Sequence, residues 1–441
     1  MKNPLNTAEW FAEIKEFDKA KIVLDLLKPY AITLEDIDKL GAVYADIREF
    51  NDTLELAHKM FNMVPKEEHE ARYNCRVNII RAHLNLNQPK EALEYILVNE
   101  KEKPKDHPNQ MDKAMVYFLL NRKDEGEKLL RKILTEPRTK DVDGRVRLNL
   151  GTYDLSNGNF KEGLQHVLMD GKHVNSWETY DDITDERWDG KTYPGKTILL
   201  AFEAGIGDEI INIRFQKHIR DRGMNCVWYT ARKDLAEVYK RNGFDVVTSV
   251  KEFKRDWLWT YGMETPHWLG LDYKDLWYGP YLKAKGTKDK LPGKFKIGLK
   301  YSGNLKYDQD LHRTIPEDLL VKCIPEGATL YSFQVYDDPA FTSDRVIPLR
   351  DKIKSWDDTL NYMDQMDLVI SSCTSLPHLA GAMGKELIVM VPILNYYTWA
   401  YKHSKHSAWY GKSTTILRQK EYDNWNAPFE ELKVLLNEKK I

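Results

Sequence analysis

The residue types best suited to chemistry stand in the segment Gly205-Ile206-Gly207-Asp208, directly after the apolar run Thr197–Phe202. A buried parallel strand that ends in glycines and a helix start is a common ligand site in α/β proteins. We predict that Asp208 is an exposed carboxylate in the first turn of a helix. Free N–H groups there favour its ionised form, so it can act as a general base. The alternative is that Asp208 only caps the helix.

A second polar segment follows the apolar run Lys296–Tyr301. Its residues Ser302-Gly303-Asn304 offer N–H and hydroxyl donors, and Lys306 and Arg313 add positive charge. These groups suit a diphosphate, because Arg binds two oxygens at once while Lys acts as a point charge. The spacing is not that of a P-loop, so an ordinary surface loop is the alternative.

A third candidate segment follows the apolar run Leu368–Ser371. Thr374 and Ser375 are typical residues at a helix start, and Pro377 is tolerated in the first turn. The predicted short helix directs its N-terminus, two hydroxyls and His378 toward a ligand, an arrangement that binds anions. The alternative for His378 is a purely structural role.

Composition excludes several classes of protein. The chain has 441 residues, with 66 lysines and arginines against 68 acids, so no overall positive charge indicates a nucleic-acid partner. The four cysteines are widely spaced, which argues against disulfides or a zinc site and favours a reducing compartment. No signal-peptide pattern and no apolar run of roughly 20 residues is present. We therefore expect a folded, cytoplasmic protein without a membrane span.

The first 170 residues carry helical periodicity almost throughout. Helical segments there end at Pro65, Pro104 and Pro137, which are 39 and 33 residues apart. This spacing is close to the helix–turn–helix unit of tetratricopeptide (TPR) repeats, about 34 residues long. Small residues such as Gly41 and Ala92 let paired helices approach. Three to five repeats are predicted, and an irregular helical bundle is the alternative.

The periodicity changes after Gly195. Short apolar runs then alternate with amphipathic helices, which is typical of parallel sheets covered by helices on both faces. The runs are Thr197–Phe202, Asn225–Tyr229, Val246–Ser249, Trp257–Thr260, Lys296–Tyr301, Thr329–Gln334, Leu368–Ser371 and Glu386–Val391. The segment Lys283–Lys294 breaks the pattern and predicts a hinge. We predict a TPR-like helical domain over 1–170, a linker over 171–194, and two Rossmann-like domains over 195–290 and 291–441.

Several motifs in the same order resemble those of TPR-containing glycosyltransferases related to the bacterial heptosyltransferases. The matching stretches are Arg187–Gly190, Gly195–Thr197, Glu203–Asp208, Gly298–Asn304, Arg313–Pro316, Asp367–Ser371, Thr374-Ser375, His378–Gly384, Ser407–Tyr410 and Leu417–Gln419. They cover about 240 residues, from 185 to about 425. The helical repeats in front, including the last one around Asn159–Gly163, also resemble that family.

The resemblance implies a GT-B fold of two Rossmann-like domains and an inverting, metal-independent transfer from a nucleotide-diphosphate sugar. Asp208 matches the family's catalytic base, and the first Rossmann-like domain binds the acceptor beside Glu203, Gly205 and Gly207. The second domain binds the donor. The implied donor-binding residues are Ser302, Gly303, Asn304, Lys306, Arg313, Gln334, Thr374, Ser375, His378 and Gly381. No cofactor or metal is implied beyond the nucleotide-sugar co-substrate.

Two positions depart from the family pattern. Cys373 stands where the family commonly has an acid that contacts the donor sugar, which suggests a sugar other than heptose or altered contacts to the sugar hydroxyls. Ser407-Ala408 replaces a common Ser-Pro. One alternative is a scaffold protein whose transferase half only binds. A second is an epimerase-like enzyme, but no third glycine follows at Ile210 to complete its GxGxxG fingerprint.

Two aromatic-rich stretches leave the acceptor open. One lies between Trp257 and Tyr281, and the other between Tyr396 and Tyr410, where lysines and histidines interleave with the rings. Such residues can stack on sugars or hold bases, and the alternative is packing in the core. The predicted acceptor is therefore a saccharide, a protein or a DNA base, with the repeats recruiting the acceptor or a protein partner. The final helix, Ala427–Lys440, is expected to pack on the first Rossmann-like half.

Overall fold

The computed structural model describes residues 4–170, 186–202, 205–303, 310–335, 338–394 and 396–439, with the side chains of residues 169, 170 and 311 excepted. The chain forms two compact units, Met1–Arg138 and Thr139–Ile441. All four cysteines are free thiols, as expected.

The described part of the first unit consists of helices that pack in consecutive pairs. They are α1 (Pro4–Glu13), α2 (Phe17–Leu27), α3 (Leu34–Asp46), α4 (Phe50–Met63), α5 (His69–Asn85), α6 (Pro89–Glu102), α7 (His107–Leu119) and α8 (Lys123–Leu134). The prolines Pro65, Pro104 and Pro137 follow α4, α6 and α8, as the sequence predicts. Ala92 is fully buried, which allows α5 and α6 to pack closely.

The same three-residue turn joins the two helices of each pair. Its middle residue has a positive φ at Lys15, Arg48, Asn87 and Asn121, between 59° and 66°. In each turn the third residue donates its N–H to the carbonyl five positions earlier, which closes the helix end. One geometry repeated in all four turns confirms the predicted succession of helix–turn–helix units here.

The second unit begins with two helices that the sequence assigns to the repeat domain. Helix α9 (Lys140–Asn157) and helix α10 (Phe160–Leu164) meet at a turn with Gly158 at φ 93°, and a π-helical turn (Gln165–Asp170) follows. Their packing partners include later parts of the same unit. The ring of Phe160 lies 4.5 Å from that of Tyr273, whose hydroxyl donates to the Leu155 carbonyl at 2.7 Å.

The first sheet has five parallel strands in the order β1-β5-β2-β3-β4. They are β1 (Glu186–Arg187), β2 (Thr197–Ala201), β3 (Asn225–Tyr229), β4 (Val246–Val247) and β5 (Leu258–Tyr261). Its helices are α11 (Ile206–Asn212), α12 (Phe215–Asp221), α13 (Lys233–Arg241) and α14 (Thr265–Trp268). Strand β1 and the buried Trp188 lie within the predicted linker, whose residues 171–185 are outside the described part.

The second sheet has seven strands in the order β11-β12-β10-β9-β6-β7-β8. They are β6 (Lys296–Lys300), β7 (Thr329–Ser332), β8 (Val346–Pro348), β9 (Leu368–Ser372), β10 (Leu387–Val391), β11 (His406–Ser407) and β12 (Gly411–Arg418). All pairs are parallel except β11 with β12. Its helices are α15 (Asp310–Arg313), α16 (Glu317–Cys323), α17 (Trp356–Asp364), α18 (Ser375–Ala382) and α19 (Asn426–Glu438).

The predicted apolar runs coincide with β2–β7, β9 and β10, and the segment 283–294 contains neither helix nor strand. One prediction is wrong. Helix α19 packs against the second sheet, because Phe429, Leu432 and Leu436 share a buried cluster with strands β6 and β10. A second, larger core joins the two halves of this unit, with Ile198, Val369 and Trp409 among its members.

None of the helices in the described ranges is both long and apolar enough to cross a lipid bilayer.

Candidate functional site

Asp208 lies in the first turn of α11, whose N-cap residue is Gly205. Its Oδ2 accepts a hydrogen bond from the Gly205 N–H at 2.9 Å, and its Oδ1 accepts one from the Tyr396 hydroxyl at 3.0 Å. Only 9 % of the residue is exposed. Burial raises the pKa of Asp208 to about 6, although the hydrogen bonds oppose this shift. The prediction that this carboxylate is exposed is therefore wrong, whereas the capping hydrogen bond to Gly205 is present.

The neighbouring acid, Glu209, has a different environment. It is completely buried and forms an ion pair with Arg232, while the Trp228 indole N–H lies 3.5 Å from its Oε2. Burial raises its pKa, and the charge of Arg232 opposes that shift. Because its carboxylate is already paired, Glu209 is a structural acid, and Asp208 is the better candidate for proton transfer.

His378 lies opposite α11, on helix α18. A Cβ built on Gly207 would lie 2.8 Å from its Cδ2, so glycine at 207 permits this close approach. The imidazole stacks on Trp399 at 4.8 Å, and its Nδ1 is 2.9 Å from the Tyr410 hydroxyl. Burial, assisted by the charge of Arg214, lowers the pKa of His378 to about 3. His378 is therefore neutral at pH 7 and forms part of an aromatic cluster.

Arg214, which the sequence reasoning missed, is fully buried beside this cluster. Its guanidinium donates to the Leu276 carbonyl at 3.2 Å and to the Tyr281 hydroxyl at 2.8 Å, and it also binds the Trp409 carbonyl. The guanidinium thus ties the first half of the unit to the segment before β12. Nothing in the sequence distinguishes this arginine from the surface arginines of neighbouring helices.

The second predicted segment folds against the start of α18. Arg313 donates to Asp310 Oδ1 at 2.8 Å and to the Cys373 carbonyl at 3.0 Å. Asp310 Oδ1 also accepts the Gly303 N–H at 3.2 Å. A Cβ on Gly303 would lie 2.5 Å from Arg313 Nη2 and 3.0 Å from Thr374 Cγ2. The structure therefore brings together Gly303, Arg313 and Thr374, three of the residues implied to bind the donor.

Three buried polar atoms at this sheet edge have no hydrogen-bond partner among the residues that the structure describes. They are Ser372 Oγ, Thr374 Oγ1 and Gln334 Oε1. The amide of Gln334 donates to Ser302 Oγ at 2.7 Å, which joins two more predicted residues. Buried polar groups are nearly always paired, so this group of unpaired acceptors and donors fits a polar ligand.

The other predicted site residues are Glu203, Asn304, Lys306, Ser375 and Gly381. Glu203, Asn304 and Lys306 lie outside the described residues. Ser375 begins α18, directly after the N-cap residue Thr374. Gly381 packs against the ring of Tyr410, so its ligand contact stays a prediction.

Cys373 is buried, and burial raises the pKa of its thiol to about 11. It therefore offers a neutral thiol where an acid would carry charge. Lys300, at the end of β6, was also missed by the sequence reasoning. It is buried and forms an ion pair with Asp338, and burial lowers its pKa.

The core-packing alternative holds for most of the aromatic stretches. Trp257, Trp259, Tyr261, Tyr281, Tyr397, Trp399, Trp409 and Tyr410 are all buried. Tyr396 is only partly buried, and its hydroxyl reaches Asp208. Its position in an aromatic-rich loop gave no signal that would separate it from its neighbours.

One cluster in the described residues has the geometry to hold a metal ion. Ligand atoms of Asp154, Glu162 and His166 lie within 4.8 Å of one another, and His166 Nδ1 is 3.2 Å from Asp154 Oδ2. These residues lie on α9, α10 and the π-helical turn, away in sequence from the three predicted site segments. Whether the protein uses a metal stays a prediction.

Comparisons with known proteins give only distant similarity. No family model and no curated protein matches the sequence. Among solved structures, a glycosyl transferase family 9 protein from Veillonella parvula matches with 11 % identity and a TM-score of 0.40. That match covers 56 % of this chain and 97 % of the other. Heptosyltransferase WaaC of E. coli with ADP matches with 13 % identity and a TM-score of 0.35, covering 55 % and 99 %.

Solved structures of TPR proteins are also among the matches. A thermophilic TPR protein of Thermus thermophilus matches with 21 % identity and a TM-score of 0.26, covering 37 % of this chain and 87 % of the other.

Proposed function

We propose that this protein is an inverting glycosyltransferase that moves a sugar from a nucleotide-diphosphate sugar to an acceptor hydroxyl. The observation that carries the proposal is Asp208, a buried carboxylate with a pKa of about 6 in the first turn of α11, the helix that follows β2. A base with that pKa is largely ionised at pH 7 and still accepts a proton readily. The sequence motifs that resemble heptosyltransferase-like enzymes support the same assignment.

In the proposed reaction, Asp208 takes the proton of the acceptor hydroxyl while that oxygen attacks the anomeric carbon. The new carbon–oxygen bond forms on the face opposite the leaving group, and the bond to the diphosphate breaks. The diphosphate leaves with the bonding electron pair, so its negative charge increases. Hydrogen bonds from Gly205 and Tyr396 orient the carboxylate before the transfer.

The leaving diphosphate is proposed to bind between Gly303, Arg313 and the N-terminus of α18. Arg313 supplies a guanidinium, and the unpaired Thr374 hydroxyl and first-turn N–H groups supply hydrogen-bond donors. Asp310 holds Arg313 in place, which leaves less positive charge than a free arginine would offer. His378 contributes packing, because a neutral imidazole adds no charge. We propose that these groups act without a metal, so activity should survive a chelator.

The test is Asp208→Asn, which keeps the size of the side chain and removes the base. We expect turnover to fall by roughly 10²-fold or more, while nucleotide-sugar binding stays within a few-fold. Calorimetry against UDP-, ADP-, GDP- and dTDP-sugars, with and without Mg²⁺, identifies the donor first. Glu252→Gln, which changes an exposed acid, serves as the matched control.

Equal turnover in Asp208→Asn and the parent would remove Asp208 from the mechanism. Donor binding without turnover in the parent, whatever the acceptor, would favour the scaffold alternative. Loss of donor binding in Asp208→Asn would place this carboxylate in the donor site.

A further inference from the structure

A basic groove lies beside β12, outside the site described above. Its volume is about 210 Å³, and its lining includes Lys402, Lys405, Arg418 and Lys420. The one carboxylate in the lining belongs to Glu431, which pairs with Lys420 at 2.9 Å. Four cations against one carboxylate leave the groove strongly positive, although the whole chain has a net charge of −2.

Two of the four cations have no anionic partner within the described part of the chain. Within the described residues, no carboxylate forms an ion pair with Lys402 or Lys405. The guanidinium of Arg418 donates to the carbonyls of Ser404 and Trp399 at 3.2 and 3.1 Å, but its buried Nε has no partner in the described ranges. Burial lowers the pKa of Arg418 to about 10, so it stays charged at pH 7.

Holding these charges together costs free energy through mutual repulsion unless an anion occupies the groove. Carbonyl oxygens fix the guanidinium in one orientation, while the two lysines are exposed and adjustable. A fixed guanidinium combined with flexible ammonium groups is the donor set that binds phosphate, since Arg binds two oxygens and Lys adds point charge.

The groove lies at the same sheet edge as the candidate site. Strands β10 and β12 are parallel, and Arg418 is the last residue of β12. The segment that follows β10 contacts Asp208 through Tyr396 and reaches the groove at Lys402. Six residues of extended chain span at most about 21 Å, so the groove begins within that distance of Tyr396.

We infer that this groove binds a phosphate group of the acceptor substrate, at a position separate from the donor diphosphate. That the phosphate belongs to the acceptor rests on the proposed function, whereas the phosphate site itself is inferred from the groove alone. A phosphate held there would anchor an acceptor whose hydroxyl reaches Asp208. Phosphate can come from a small phosphorylated molecule or from the backbone of a nucleic-acid strand.

The experiment measures binding to the full chain by calorimetry and fluorescence anisotropy. The probes are inorganic phosphate and a short single-stranded DNA, each with and without a saturating nucleoside diphosphate. Lys402→Glu and Lys405→Glu reverse charges inside the groove. Lys412→Glu is the matched control, because it changes an exposed lysine on β12 that lies outside the groove lining.

We expect each groove variant to bind the probe that the parent binds at least tenfold more weakly than the parent does. The control variant should bind it with the affinity of the parent. Nucleoside diphosphate binding should be the same in all three variants and should not compete with the probe. Equal affinity for phosphate and DNA would identify a small phosphorylated acceptor. Tighter, salt-dependent binding of DNA would identify a nucleic-acid strand.

Three outcomes would overturn the inference. They are no binding of either probe, equal weakening in all three variants, or competition between the probe and the nucleoside diphosphate. If only the proposed function is wrong, the results differ: the groove variants behave as expected, but Asp208→Asn retains full turnover.

Discussion

Two opposing effects set the pKa of Asp208. Burial favours its protonated form, while hydrogen bonds from Gly205 and Tyr396 favour the ionised form. The balance places its pKa at about 6, inside the range in which enzymes are usually assayed. A general base must be ionised to accept a proton, so the pH dependence of turnover reports this balance directly.

We therefore expect turnover to rise with pH through about 6 and to level off above 7. Tyr396→Phe removes one hydrogen bond to the ionised form, so its rising limb should move to higher pH. The measurement is kcat against pH for both proteins. Tyr239→Phe, which removes a buried hydroxyl that forms no hydrogen bond to Asp208, should leave the limb in place. An unchanged limb in Tyr396→Phe would exclude this hydrogen bond from control of the base.

The same pKa affects the stability of the fold. Because the folded-state pKa of Asp208 lies above the usual value of 3.8, the folded chain holds the proton more tightly between pH 4 and 6. Stability from this group is present below pH 4 and is lost as the pH rises through 6. The rise of this pKa from 3.8 to about 6 corresponds to about 3 kcal/mol.

Asp208→Asn should abolish that loss, since asparagine does not ionise. We expect the variant to be more stable than the parent at pH 7 by up to about 3 kcal/mol. At pH 4 the two proteins should be nearly equal. Urea unfolding at both pH values measures the difference. A parent more stable than the variant at pH 7 would show that the ionised carboxylate is well compensated in the fold.

At the scale of elements, the site depends on how closely α11 approaches α18. Gly207 faces His378, and a Cβ at that position would overlap with the imidazole. The imidazole cannot move away easily, because Trp399 stacks on one of its faces and Tyr410 binds its Nδ1. The glycine pair after β2 therefore has two different roles, since Gly205 caps the helix and Gly207 permits the contact.

Gly207→Ala should destabilise the second unit by about 1–3 kcal/mol through overpacking. It should also lower turnover, because α11 carries Asp208 and would have to shift. Gly205→Ala is the control, since among the described residues a Cβ there would meet only Asp208 Oδ2, at 3.3 Å. Thermal unfolding of both variants tests the difference. Equal stability of the two would show that α11 and α18 have room to adjust.

At the scale of the whole molecule, the division into units falls at Arg138, whereas the sequence places a domain boundary at residue 170. Helices α9 and α10 pack within the second unit through Phe160, Tyr273 and Trp409. Each unit also has a buried core made of its own residues. The boundary at residue 138 therefore separates two parts of the chain, each with a buried core of its own.

We expect residues 139–441 expressed alone to fold and to bind the donor within a few-fold of the full chain. A shorter piece, 171–441, should be much less stable, because it exposes the rings that cover Phe160. Calorimetric unfolding and nucleotide-sugar binding of both pieces check this. Equal stability of the two pieces would support the boundary at 170 instead.

Much of the secondary structure was predictable because it follows from local pattern. Apolar runs of four to six residues located most strands, and the prolines marked the ends of α4, α6 and α8. Strand β12 was not predicted because its sequence, Gly411–Arg418, mixes polar and apolar residues. The packing partner of α19 was not predicted correctly, because the apolar face of a helix does not indicate which sheet the helix covers.

By itself, the sequence determined the alternation of strands and helices, the repeated helix pairs and the position of Asp208 at a strand end. These features depend on residues close together in the chain. The tertiary structure alone decided that Tyr396 covers Asp208, that Arg214 and Trp399 surround His378, and that four cations share one groove. Burial and electrostatic environment come from residues far apart in sequence, and they set the pKa values on which the proposed chemistry depends.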